Sequence, residues 1–143
     1  MTANHNLITQ KISFFSTQPY DKVFFEKYNA DFGFALEFFE VQLNSRTINL
    51  MQETAIVCVF VNDVVDAEVI EKLAENGVKI IALRCAGFNN VDLIAAQKAG
   101  IRVCRVPTYS PEAVAEHAMA MILTLNRKTH KARSRDGKVG SAI

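Results

Sequence analysis

Five short apolar runs, each separated from the next by enough residues for a crossover helix, limit what this chain can fold into more than any other feature. They occupy residues 11–16, 34–39, 55–61, 79–83 and 101–106. Parallel neighbours cannot be joined by a tight turn, so gaps of this length predict parallel pairing with a helix in each connection. The run at 55–61 is β-branched, aromatic and continuously apolar, which predicts a strand at or near the centre of the sheet. Stop and start signals punctuate the gaps. A helix over 20–32 carries Val23, Phe24, Lys27 and Tyr28 at helical spacing and ends at Gly33. Asn44-Ser45 caps a short helix to about Met51. Asp63 and Asp66 precede a helix to Asn76-Gly77, and a further helix over 91–99 stops at Gly100.

The fold class expected is α/β: a flavodoxin-like, doubly wound, parallel five-stranded sheet in the order 2-1-3-4-5, with a long C-terminal helix. That helix has Ser110 as N-cap, Pro111 at its first position and Glu112 in its first turn, and extends to about residue 132. Its Ala113, Ala118, Met119, Ala120, Met121, Ile122, Leu123 and Leu125 make it apolar on several sides. Such a helix is covered by more than one partner, which predicts a bridge to a second domain. The division expected is a substrate-binding domain over 1–109, a hinge-crossing helix over 110–132 and an irregular tail over 133–143. From Arg127 to Lys138 there are six Lys or Arg, one His and one Asp, a cluster read as a solvated helix end.

Half the residues are hydrophobic, 22% are charged and the net charge is +1, so neither disorder nor a nucleic-acid or membrane partner is indicated. The apolar runs are too short to span a bilayer, and the N-terminus lacks a secretory pattern. Cys58, Cys85 and Cys104 are odd in number, with Cys58 and Cys104 inside strand-like runs. They read as buried thiols in a reducing compartment, and the expected location is the cytoplasm. No His or Cys pair has metal-ligand spacing, so no metal site is expected.

Two strand-to-helix turns carry the chemistry: Arg84-Cys85-Ala86-Gly87-Phe88-Asn89-Asn90-Val91-Asp92 and Val106-Pro107-Thr108-Tyr109-Ser110-Pro111-Glu112. They lie side by side at the carboxyl edge of the predicted sheet, where open α/β folds place ligands. Glycine at 87 permits a sharp turn with its N–H open to a ligand, and successive N–H groups at such a turn suit a carboxylate. Arg84 adds positive charge to that pocket or orients the loop from behind. Tyr109 either donates its phenol to a ligand or covers the edge of the core. Asn90 and Asp92 serve the turn itself. Glu116 and His117 are adjacent on a helix and point about 100° apart, so they form no relay.

These residues, together with Tyr20-Asp21-Lys22, Val59-Phe60-Val61-Asn62-Asp63 and Leu125-Asn126-Arg127, resemble the D-lactate dehydrogenase branch of the D-isomer-specific 2-hydroxyacid dehydrogenases. The resemblance covers residues 12–135. It implies that the backbone amides of Ala86 and Gly87 hold the substrate carboxylate and that Tyr109 faces the substrate. In the full-length family a Rossmann domain follows, bringing NAD, a clamping arginine and a catalytic histidine for hydride transfer to a small 2-oxo acid. Here there is no Gly-x-Gly-x-x-Gly, and Gly137 and Gly140 neither follow a strand nor open a helix. After Asp136 the family pattern is lost. The expectation is therefore a truncated substrate-binding domain with no catalytic residue of its own, no NAD bound and no activity alone. Pairing with a second copy or with a full-length dehydrogenase through the 110–132 helix is also expected. The alternative is a non-catalytic flavodoxin-like binding or dimerisation module. A receiver-type regulator is disfavoured, because Ser16-Thr17-Gln18 brings no acidic cluster after the first strand.

Overall fold

The computed structural model describes residues 10–108 and 110–127. The chain divides into two compact units, 1–107 and 108–143. The first contains five strands, β1 (Lys11–Phe14), β2 (Ala35–Phe38), β3 (Ile56–Val59), β4 (Ile80–Leu83) and β5 (Arg102–Arg105). All pairs are parallel and the order is β2-β1-β3-β4-β5, the predicted winding. Its helices are α1 (Pro19–Asn29), α2 (Ala67–Glu75) and α3 (Leu93–Lys98), with a 3-10 turn at Thr47–Leu50. The second unit contains α4 (Pro111–Arg127). Residues 128–132 of the helix expected over 110–132 lie outside the described range.

Register explains the layers. Val57 on β3 is paired with Ile81 on β4, which is paired with Val103 on β5, and this row points into the core beneath α2 and α3. Val57, Val59, Ile81, Val69 and Leu73 are all fully buried there, which places the 55–61 run at the centre as expected. The alternate row, Phe14, Cys58, Ala82 and Cys104, faces the other side. There α1 packs against β1 through Phe25, whose ring centroid lies 4.5 Å from that of Phe14. The stripe turned inward is Asp21, Phe25 and Asn29. Val23, Phe24 and Tyr28 lie on the neighbouring stripe and are exposed. Helical spacing located the helix but did not select the buried one of its two stripes.

Local chemistry sets the ends. Helix α1 stops three residues before the predicted end, because the Asn29 carboxamide brackets Phe34, accepting from its N–H at 2.9 Å and donating to its carbonyl at 2.8 Å. Asn44 Oδ1 accepts from the N–H groups of Arg46 and Thr47, which tightens the expected short helix into a 3-10 turn. Asp66 and Asp92 cap α2 and α3, accepting from Val69 and Ala95 at 3.0 and 2.9 Å. Gly77 exits α2 at φ +84°, which only glycine adopts without cost.

The cysteines correct one expectation. Cys58 is buried on the central strand, and burial pushes its thiol up to about 12, against a smaller lowering by the Arg84 charge. Cys104 is exposed, not buried, because β5 is an edge strand and pairs on one side only.

Candidate functional site

The carboxyl ends of β1, β3 and β4 meet at the point where the strand order reverses, the place where open α/β sheets form a crevice. A cavity of about 390 Å³ lies there, lined by Ser16, Gln18, Tyr20, Asp21, Glu40, Gln42, Phe60, Asn62 and Arg84. Arg84 reaches across from β4. Its Nη2 donates to the carbonyls of Phe15 at 3.0 Å and Ser16 at 3.1 Å, and its plane lies over the Phe60 ring at 5.4 Å. Asp21 Oδ2 stands 3.9 Å away. The side chain is only 10% exposed, and its Nη1 has no hydrogen-bond partner among the described residues. Nη2 ties the β4 turn to the end of β1, one of the two roles open to Arg84, while Nη1 keeps no partner among the described residues; Ala86 and Gly87 do not line this cavity.

The Ala86-Gly87 turn is held from several directions at once. Cys85 accepts from the Val106 N–H at 3.2 Å, which joins the ends of β4 and β5. Asn90 Nδ2 donates to the carbonyls of Phe60 at 3.0 Å and Asp63 at 2.9 Å, and the Asn90 carbonyl accepts from Val65. That staples the β4 turn to the β3 turn. Ala86 O accepts from Arg105 Nη1 at 2.9 Å. Within this fixed frame the N–H groups of Ala86 and Gly87 have no hydrogen-bond partner among the described residues. Gly87 is exposed and Ala86 half-buried, so both amides are open to solvent or to a ligand.

Gly87 differs from the expected reason for a glycine. Its φ lies outside the left-handed range, so the turn does not demand it. A Cβ built there meets nothing within 4 Å, so the missing side chain leaves open space beside the amide. Tyr109 lies outside the described residues. Asn90 and Asp92 take the structural roles expected of them.

Two residues of this region escaped sequence reasoning. Asp63 is 1% exposed and accepts from the Phe60 N–H at 2.6 Å, the Leu43 N–H at 2.7 Å and the Ser16 hydroxyl at 2.6 Å. It holds Ser16 at φ +51°, unusual for a residue with a side chain. Arg105 bonds Ala86 and stacks over the Phe88 ring at 5.2 Å. Nothing in spacing distinguishes a buried acid after a strand from a helix cap, or a tying arginine from a solvated one.

The described turns do not fit a dinucleotide. Helices α2 and α3 open on the carboxylates of Asp66 and Asp92, whose charge opposes a pyrophosphate at those N-termini. Among the described residues no group of His, Cys, Asp or Glu could hold a metal, and no helix is long and apolar enough to cross a membrane.

Sheet order and the crevice at the switch point define a doubly wound, parallel α/β domain. The chain belongs to the D-isomer-specific 2-hydroxyacid dehydrogenases: the family described as "D-isomer specific 2-hydroxyacid dehydrogenase, catalytic domain" matches residues 7–138. It is 56% identical over 125 residues to a 2-hydroxyacid dehydrogenase homolog of Haemophilus influenzae, covering 87% of this chain and 38% of that one. With the D-lactate dehydrogenase of Escherichia coli it shares 52% identity over 128 residues, 88% of this chain and 39% of that one. The apo-structure of that enzyme superposes with a TM-score of 0.75 over 88% of this chain and 40% of the other. The D-lactate dehydrogenase of Aquifex aeolicus, solved in complex with NAD and lactic acid, superposes with a TM-score of 0.75 at 31% identity, over 92% of this chain and 38% of that one. The chain thus spans under half the length of these relatives.

Proposed function

We propose that this chain supplies the carboxylate-binding part of an NAD-dependent D-2-hydroxyacid dehydrogenase acting on a small 2-oxo or 2-hydroxy acid of the lactate and pyruvate class, in the cytoplasm. The observation that carries the reading is the run of backbone amides from Ala86 to Asn90, led by Ala86 and Gly87, that have no hydrogen-bond partner among the described residues, in a turn held by the Cys85 and Ala86 carbonyls and the Asn90 side chain. The Ala86 and Gly87 amides each donate to one oxygen of the substrate carboxylate. Arg84 keeps the turn in register with β1 from behind, and the family resemblance assigns Tyr109 a phenol donor toward the substrate. The segment 1–109 is the substrate-binding domain, 110–132 the hinge-crossing helix and 133–143 the tail.

NAD serves the reaction as hydride donor or acceptor, and hydride transfer needs it held against the substrate with a proton donor in reach. The 143 residues contain no dinucleotide fingerprint and no histidine in a described cleft, so on their own they reduce no pyruvate and bind no NADH. Val114, Met119 and Ile122 are exposed on α4 and support association with a second copy or a full-length dehydrogenase through this helix.

The test is carboxylate binding by the 143-residue chain and by Gly87→Ala. The added methyl meets no atom of the protein, so stability stays within about 1 kcal/mol while the approach to the amide is obstructed. Weakened oxamate binding at unchanged stability is the expected result. Equal binding by both forms refutes the reading. Saturable NADH fluorescence with the chain alone refutes the inactivity.

A further inference from the structure

The two open amides differ in how they are held. Gly87 N–H belongs to the peptide unit whose carbonyl is Ala86 O, and that carbonyl accepts from Arg105 Nη1 at 2.9 Å. In a trans peptide the C=O and N–H point in opposite directions across one rigid plane. Fixing the carbonyl on Arg105 therefore fixes the direction of the Gly87 N–H, away from the guanidinium. A cation on the carbonyl also draws charge along the peptide, which makes the opposite N–H a stronger donor. The same Nη1 donates to Pro107 O at 3.3 Å, and the guanidinium lies 5.2 Å from the centre of the Phe88 ring. Three contacts thus orient Arg105, two of them on the β4 turn and one on the turn after β5.

We propose that Arg105 is the positioning residue of the carboxylate site: it aims and polarises the Gly87 N–H through the peptide plane, and locks the β4 and β5 turns together. Arg84 places its Nη2 on the end of β1 and makes no hydrogen bond to Ala86 or Gly87. The proposal rests on the carboxylate reading given above. Lysine at 105 keeps the charge and a donor, but loses the planar stack over Phe88 that orients it, so it recovers polarisation with a looser lock. Methionine keeps the apolar stem over Phe88 and loses both.

The experiment uses the ¹⁵N,¹³C-labelled 143-residue chain, with Arg105→Lys and Arg105→Met, observed by NMR without ligand and through an oxamate titration. Without ligand, Arg105→Met is expected to move the Gly87 amide and the Ala86 carbonyl resonances and to speed exchange of the Val106 amide. Resonances of β1 and β3 stay in place and report an intact fold. With oxamate, Arg105→Met is expected to bind about tenfold more weakly, a size typical of losing one charge-assisted contact, with Arg105→Lys in between. Unmoved Gly87 and Ala86 resonances in Arg105→Met overturn the proposal, as does undiminished oxamate affinity. If the unsubstituted chain itself shows no oxamate shifts, the carboxylate reading fails. The peptide-plane coupling is then still decided by the ligand-free resonances. If Arg105→Met does not fold, Arg105→Lys decides alone: resonances and affinity identical to the unsubstituted chain overturn the proposal.

Discussion

Replacing Asp63 by asparagine removes a charge and changes almost no volume, which makes it the sharpest probe of the frame behind the site. Oδ1 of Asp63 accepts from the Ser16 hydroxyl and the Leu43 N–H, and Oδ2 accepts from the Phe60 N–H. An asparagine can keep its oxygen toward Ser16 and Leu43. Its NH2 then faces the Phe60 N–H, donor against donor. One charge-assisted bond is lost, worth about 1.5–3 kcal/mol, and a buried N–H is orphaned at a cost of about 1–3 kcal/mol. The combined loss for Asp63→Asn is about 4 kcal/mol, a large share of the roughly 5–15 kcal/mol that stabilises a domain. At a urea slope of about 2 kcal/mol per molar, the unfolding midpoint falls by about 2 M. Far-UV circular dichroism against urea measures it. A midpoint within 0.5 M of the unsubstituted chain, about 1 kcal/mol at that slope, refutes the three-bond account of Asp63.

The thiols give a second test: a water-soluble disulfide reagent at pH 8 modifies exposed Cys104 readily, whereas Cys58 waits for unfolding. Rapid modification of Cys58 in the folded chain contradicts its burial. The same thiol predicts a pH dependence. Its folded value is raised from 9.0 to about 12, so its contribution is fully present below pH 9 and is lost as pH climbs from 9 to 12. The slope is about 1.4 kcal/mol for each pH unit in that window, and Cys58→Ala, which removes it, flattens the curve. Asp92→Ala removes the acceptor for Ala95 at the start of α3 and costs about 1 kcal/mol. An unchanged thermal midpoint contradicts the cap.

Much of the fold was legible because its signals are local or periodic. The unbroken apolar character of residues 55–61 placed β3 at the centre, and crossover-length gaps gave parallel order. Glycines after α2 and α3 marked their ends. What escaped depended on which of two alternatives the tertiary structure selects. Helix α1 has two candidate apolar stripes, and contact with Phe14 selects the one carrying Phe25. Cys104 has a strand-like context but lies at the sheet edge. At the site, the turn at Ala86 and Gly87 was legible because glycine and a strand end coincide. The two arginines were not separable: Arg84 and Arg105 each end a strand, and only the coordinates show one turned to β1 and the other to Ala86. In the sequence Asp63 is one of two acids that precede α2; its three donors appear only in the fold.

The central claim is that the open amides of Ala86 and Gly87 bind a carboxylate. Titrating the ¹⁵N-labelled chain with pyruvate while following every backbone amide tests it most directly. The account predicts saturable shifts largest at Ala86 and Gly87, smaller at Phe88 and Val106, and negligible at the amino ends of the strands such as Lys79 and Ile80. Shifts spread evenly over surface amides, or centred on residues away from the β4 turn, would contradict it.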